Sequence, residues 1–410
     1  MLAGLVRILG LHNFQLAEDI VQDTLLRAVE SWRFGRLPPK PAAWLMLTAR
    51  NLAIDVVRRE RSARRFAPDL SYQLDSEWTL ASTVDELLLD SEIRDDLLRM
   101  MFACCQPRLA SEVQVALMLK ILCGFGTREI ARTFLVEEGA MEKRIARGKQ
   151  ALRESGPLYE IASDAAIVDR LDAVLAALYL LFNEGYHGSH DELPVRQELC
   201  AEAMRLLTML LEHPAAALPR SVALLALMCF HAARLPARLD DLGCLVLLEA
   251  QDRALWDVRL IRRAVELLDR ASEGDQVSAF HIEAAIAAKH CLAPRFEETD
   301  WRGIAALYEL LSSSKPTPIV ALNRAIALGQ VDGPESGLAA LRAIPRDGMR
   351  GYPFFEAAVG EMHRRSGRRE QAAAHFRAAI DQSRSSAEAE VFRQRLVSCE
   401  IAHPGDMKER

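Results

Sequence analysis

Apolar positions recur along this chain at spacings of three and four residues almost from end to end, the signature of amphipathic helices rather than strands. Pro41 to Arg65, PAAWLMLTARNLAIDVVRRERSARR, shows it most clearly. Proline suits a first helical turn, and the run behind it contains neither glycine nor a second proline, so it predicts one long helix. Leu45, Ala49, Leu52 and Val56 form its apolar stripe. Its far end gathers Arg58, Arg59, Arg61, Arg64 and Arg65 against the single acid Glu60. Arginine forks match phosphate oxygens and base edges, but a charged helix end is also often no more than a solvated face. Both readings stand from this segment alone.

Leu16 to Trp32 predicts the preceding helix, with Leu16, Ile20 and Ala28 inward. Glu18, Asp19, Gln22 and Asp23 crowd its start, near Leu25 and Leu26. Acids near a helix N-terminus suit the macrodipole. The same acidic face beside an exposed leucine suits docking on a basic coiled coil of another protein. Residues 67–90 carry Pro68, scattered acids and no sustained period, and read as a linker.

A second helical unit covers residues 91–155. Glu112 to Cys123 is strongly apolar and ends at Gly124, Phe125 and Gly126. Thr127 then opens REIARTFL, and Val136 to Gly139 turns into AMEKRIARGKQALRE. A short helix, a tight turn and a basic helix make the pattern of a helix-turn-helix, with Ala131, Val136, Met141 and Ile145 inward. Lys143, Arg144, Arg147 and Lys149 supply its charge; Glu137, Glu138 and Glu142 oppose it.

Residues 156–410 are alanine-rich and helical by period, with breaks at Pro194, Pro214, Pro219, Pro236, Pro294 and Pro316. Gly360, Gly367, Ala372, Phe376 and Ala379 fall at the offsets of a tetratricopeptide repeat, and Asn323 to Ile344 is a poorer copy. His187, His190, Asp191 and Glu192 bring metal-ligand chemistry together in a glycine-containing loop. With no helical frame to fix a coordination geometry, they read as a polar turn rather than a metal site. Leu248 to Asp257 reads as a helix connection locked by Asp252, Arg253 and Trp256. No phosphate loop or hydrolase motif occurs, so no catalysis and no cofactor are expected.

Composition narrows the classes. A net charge of −6 over 410 residues excludes a global basic field, so any DNA contact must be local. Eight cysteines without a C-x-x-C pair fit reduced thiols. The absence of a long uncharged run predicts no membrane span and a cytoplasmic protein.

Taken in series, AEDIVQDTLLRAVESW, PAAWLMLTARNLAIDVVRRERSARR and GFGTREIARTFLVEEGAMEKRIARGKQAL resemble the extracytoplasmic-function sigma factors of bacterial RNA polymerase. LYLLFNEGY, LLALMCFHAAR, LLEAQDRALWD, AAIAAKH, TDWRGIAALYELL and PTPIVALNRAIALGQVDGPESGLAAL resemble the fused C-terminal extension of one subgroup. The resemblance implies an all-α protein: sigma region 2 over 1–66, a linker over 67–90, region 4 over 91–155, and a TPR-like regulatory domain over 156–410. About two further helical turns would precede residue 1. It also implies that Glu18, Asp19, Gln22, Asp23 and Leu26 dock on the clamp helices of the polymerase's largest subunit. Asn51 would lie near the melted minus-ten base, with Arg58, Arg59 and Arg61 on phosphate. Lys143, Arg144, Arg147 and Lys149 would meet the minus-thirty-five duplex. The alternative is a stand-alone helix-turn-helix regulator with a ligand-sensing helical domain.

Overall fold

The computed structural model describes residues 1–9, 13–32, 37–38, 41–63, 90–106, 108–134, 136–154, 164–186, 195–240, 243–349, 351–383 and 385–400. The described residues are helical throughout; their one β feature is an isolated antiparallel bridge between Leu239 and Leu245. The chain forms two compact units, Met1–Ala177 and Leu178–Arg410.

The first unit opens with α1 (Leu2–Leu9), α2 (Phe14–Trp32) and α3 (Pro41–Ala63). Phe14, Ala17, Ile20, Thr24 and Ala28 are the buried stripe of α2. Ala49, Leu52 and Ala53 are buried on α3, as the three-four spacing requires. Trp32 and Trp44 bring the two helices together, with ring centres 5.4 Å apart. Then come α4 (Asp90–Cys104), α5 (Ser111–Ile121), α6 (Thr127–Thr133) and α7 (Glu138–Glu154). Met100, Met101, Phe102, Leu117, Met118 and Leu119 are fully buried and make this core. Helix α1 packs on α4 as well as on α2 and α3. The two pieces expected on either side of a linker therefore share one body.

Helix α8 (Asp164–Tyr186) runs through the unit boundary at Ala177 and Leu178. The two compact units thus part inside a continuous helix. Apolar positions recur on α8 without a glycine or proline break until Gly185, so nothing local marks the change of unit.

The second unit continues with α9 (Gln197–Leu210), α10 (Pro219–Ala233), α11 (Val258–Ala271) and α12 (Ala279–Leu292). Helix α10 is buried on nearly every side, with α9, α11 and α12 against it, so its sequence is apolar all round. The following starts are written locally. Asp257 accepts from the backbone N–H groups of Arg259 and Leu260 to cap α11. Asp300 accepts from Gly303 N–H to cap α13 (Trp301–Ser314), and Thr317 accepts from Val320 N–H at α14 (Pro318–Val331), where Pro318 suits the first turn.

Helices α15 (Pro334–Arg342), α16 (Pro353–Arg365), α17 (Arg369–Asp381) and α18 (Ser386–Glu400) complete the unit. The repeat expected at Gly360 to Ala379 is the α16–α17 hairpin. A Cβ at Gly360 would lie 3.2 Å from the Phe376 ring, a tight contact that the neighbouring helix would have to yield to where the two cross. Gly367 turns the chain at φ +75, a conformation that L side chains avoid. Ala372, Phe376 and Ala379 are buried between the helices. Asn323 to Ile344 folds likewise across α14 and α15.

Candidate nucleic-acid and partner faces

On a helix, residues three and four apart share a face. Asp19, Gln22, Asp23, Leu26 and Val29 follow that spacing on α2, and all five are exposed. Leu26 is 61 % exposed and Val29 65 %, with Leu25 beside them at 46 %. An acidic start therefore runs into uncovered leucine and valine on one face of α2. Asp19 is steadied by Gln15, whose Nε2 donates to Oδ1 over 3.2 Å.

Glu18 lies off this stripe. Both its carboxylate oxygens accept from Lys149 Nζ at 2.6 Å, across 131 positions of sequence. The two side chains are 13 % and 12 % exposed, and the ammonium also sits 5.3 Å from the Phe14 ring centre. The expectation that put Glu18 on a polymerase and Lys149 on DNA meets a different arrangement: the structure binds each to the other. Lys149 follows the buried Gly148 and turns toward α2, which helical spacing on α7 alone does not disclose.

Of the four residues expected inward in the helix-turn-helix, Ala131, Met141 and Ile145 are buried and Val136 is half-buried, its N–H donating to the Ala131 carbonyl at 3.0 Å across the turn. Glu137 ends the turn, its carbonyl accepting from Met141 N–H at 3.1 Å. Lys143, Ala146, Arg147 and Gln150 then form one exposed stripe opposite the buried Met141, Ile145, Gly148 and Leu152. Arg147 Nε donates to the Lys143 carbonyl at 3.3 Å, which keeps its side chain along the helix. Arg144 is turned to α5 instead, where Nη1 meets Glu112 Oε2 at 3.1 Å. Glu138 and Glu142 are exposed on the same helix and moderate its field. Ala146 and Gln150 carry no charge, so the charge pattern did not single them out; helical spacing from Lys143 does.

Asn51 is exposed on α3. Arg58, Arg59 and Arg61 continue that helix, and their side chains lie outside the described residues, as do Arg64 and Arg65. His187, His190, Asp191 and Glu192 also lie outside them. Among the described residues, no cluster of histidine, cysteine and carboxylate side chains forms a metal site, and the cysteines are free thiols. Burial, with the nearby Cys105 and Cys123, raises the Cys104 thiol well above its usual range, and burial lifts Cys105 to about 12. These thiols are packing groups rather than nucleophiles. No helix among the described residues is long and apolar enough to cross a membrane.

A helical domain with an acidic and leucine-bearing face, followed by a helix-turn-helix with an outward basic stripe, defines a helical transcription factor built to meet a protein and DNA at once. The family profile of Sigma-70 region 2 matches residues 1–63, and that of Sigma-70 region 4 matches residues 99–152. Residues 170–272 match a family of unknown function, DUF6596. The chain is 32 % identical over 138 residues to the ECF RNA polymerase sigma factor SigL of Mycobacterium tuberculosis, which covers 33 % of this chain and 72 % of that one. It is 30 % identical over 162 residues to the ECF RNA polymerase sigma factor SigW of Bacillus subtilis, covering 36 % and 78 %. An uncharacterized protein of Rhizobium meliloti is 38 % identical over 388 residues, 94 % of this chain and 90 % of its own. No solved structure matches. The chain belongs to the extracytoplasmic-function RNA polymerase sigma factors, and it carries a further all-helical domain fused behind region 4.

Proposed function

We propose that the exposed stripe of α2 docks on the clamp helices of the polymerase's largest subunit, with Asp19, Gln22, Asp23 and Leu26 as its contacts. Helix α3 reads the minus-ten element, with Asn51 near the melted base and Arg58, Arg59 and Arg61 on phosphate. Extruding a base costs a few kcal/mol, which contacts to the single strand offset. Lys143 and Arg147 meet the minus-thirty-five duplex, and Arg144 lies nearer the scaffold. Two weak DNA contacts become adequate once polymerase tethers them. The protein performs no chemistry itself; the polymerase supplies it in the cytoplasm. The second unit regulates this activity.

The observation that carries this reading is the coexistence of two outward faces in one unit, one acidic and leucine-bearing, the other basic on a helix-turn-helix. A stand-alone regulator has no use for the first. Permanganate footprinting with core polymerase tests it. Thymines opening near the minus-ten element only when both the chain and polymerase are present support the proposal; a duplex-only footprint without polymerase contradicts it. Repeating the assay with a chain ending at Ser155 gives the sign of C-terminal control.

A further inference from the structure

The second unit packs arginines where no carboxylate meets them. Arg234, at the end of α10, is 8 % exposed; its guanidinium lies 5.8 Å from the Trp256 ring centre and its Nε 3.4 Å from Gln251 Oε1. Arg253 approaches the same indole at 4.5 Å. Its Nη1 donates to the carbonyls of His290 and Ala293, at 2.7 and 2.6 Å, where α12 ends. Among the described residues neither guanidinium forms an ion pair, and Glu297 acts on Arg253 only from a distance.

Two donors are left over here. Trp256 is 4 % exposed, and its Nε1–H is buried without an acceptor, as is Nη2 of Arg253; Nδ1 of His290, a donor or an acceptor according to the tautomer, is also buried without a partner. Burial, followed by the charges of Arg234 and Arg253, holds the His290 imidazole down at about 3, so it is neutral and adds no third cation. Arginine does not shed its proton in proteins. Arg234 is buried and Arg253 half-buried, and a buried cation without a counter-charge is costly until an anion joins it. A purely structural role, clamping the turn before α11 to the end of α12, employs Nη1 of Arg253 and the ring faces of Trp256. It leaves the indole N–H, Nη2 of Arg253 and the uncompensated charge of Arg234 unexplained.

We propose that Arg234 and Arg253, flanking Trp256 beside His290, form a binding site for the oxyanion of a small molecule, a carboxylate or a phosphate monoester. Planar guanidinium forks match both groups, and the indole N–H adds a neutral donor. The residues lie within or next to the segment of unknown function, and binding there holds whether or not the second unit controls transcription.

The test uses the full chain, with sodium phosphate and sodium succinate as separate probes at constant ionic strength set by sodium chloride. Calorimetric titration and thermal unfolding of the wild type show saturable binding of at least one probe, and which one distinguishes phosphate from carboxylate. Arg234→Gln weakens it by about tenfold or more, the effect of losing one charge-assisted contact. Trp256→Phe, which keeps the packing, also weakens it, and serves where an arginine variant does not fold. The Lys143→Ala and Arg147→Ala double variant binds as the wild type does. Absence of saturable binding to either probe overturns the proposal. So does binding that survives in Arg234→Gln and Trp256→Phe, or that is lost in the α7 double variant.

Discussion

Lys149 and Glu18 form a bidentate ion pair, with Nζ 2.6 Å from both carboxylate oxygens, joining the helix-turn-helix to the helix that carries the exposed acidic and leucine-bearing stripe. The pair is nearly covered, and Phe14 lies beneath the ammonium. Removing one partner leaves the other charge poorly solvated. Glu18→Gln is expected to destabilise the first unit by about 3 kcal/mol, the lower end of the cost of breaking a buried pair. The Glu18→Leu and Lys149→Met double variant recovers most of the loss. Urea unfolding of Glu18→Gln, of the Glu18→Leu and Lys149→Met single variants and of their double variant checks this, and full additivity of the two single-variant losses in the double variant would contradict the coupling.

On α7 the structure separates four basic residues by what they touch. Lys143 and Arg147 face solvent, Arg144 leans on Glu112, and Lys149 is held by Glu18. Replacing Lys143 and Arg147 with alanine lowers the slope of log affinity against log salt for promoter DNA by about two, one for each phosphate contact. Lys149→Gln leaves that slope unchanged. Anisotropy titrations across a salt series distinguish the two results.

The α2 stripe makes a separate forecast. Asp19→Lys and Leu26→Asp each reverse the character of an exposed position without touching the core, so folding is retained. Each lowers affinity for core polymerase by roughly tenfold or more, the scale of losing one favourable contact at an interface. Competition binding against the wild-type chain measures it; unchanged affinity in both variants would remove this face from the interface.

His290 sets a pH dependence for the second unit. Its folded imidazole is held near 3, while an unfolded histidine titrates near 6.5. The unfolded chain therefore takes up the proton first as pH falls. The associated stability is complete above about pH 6.5 and is lost progressively towards pH 3, on the order of 2 kcal/mol by pH 5. His290→Gln flattens the stability profile between pH 7 and 5, as read by thermal unfolding of the second unit. An unchanged slope would mean that other groups carry it.

Much of this was legible in the chain. Pro41, the stripe through Ala49 and Leu52, and the break at Gly124 to Gly126 are local instructions that tertiary packing did not override. The TPR-like hairpin was readable too, because a small Gly360 and a large Phe376 meet where two helices cross. Asp252, Arg253 and Trp256 lock their helix connection as their types suggested: Asp252 accepts from Ala254 N–H, and Arg253 ties down the end of α12. What the sequence concealed was long-range. Glu18 and Lys149 each fit a solvent-facing role within their own helix, and only the folded unit brings them together. Arg144 and Arg147 look equivalent in sequence, yet only Arg144 reaches α5. The boundary inside α8 was hidden for the same reason, since one helical period serves both units.

The most direct test of the central claim is run-off transcription with purified core polymerase and genomic DNA fragments of the source organism, with the full chain added. The account predicts discrete transcripts that need both components and that fall sharply with Asp19→Lys and with the Lys143→Ala and Arg147→Ala double variant. Duplex DNA binding by the chain alone, with no transcript at any polymerase concentration, would contradict it.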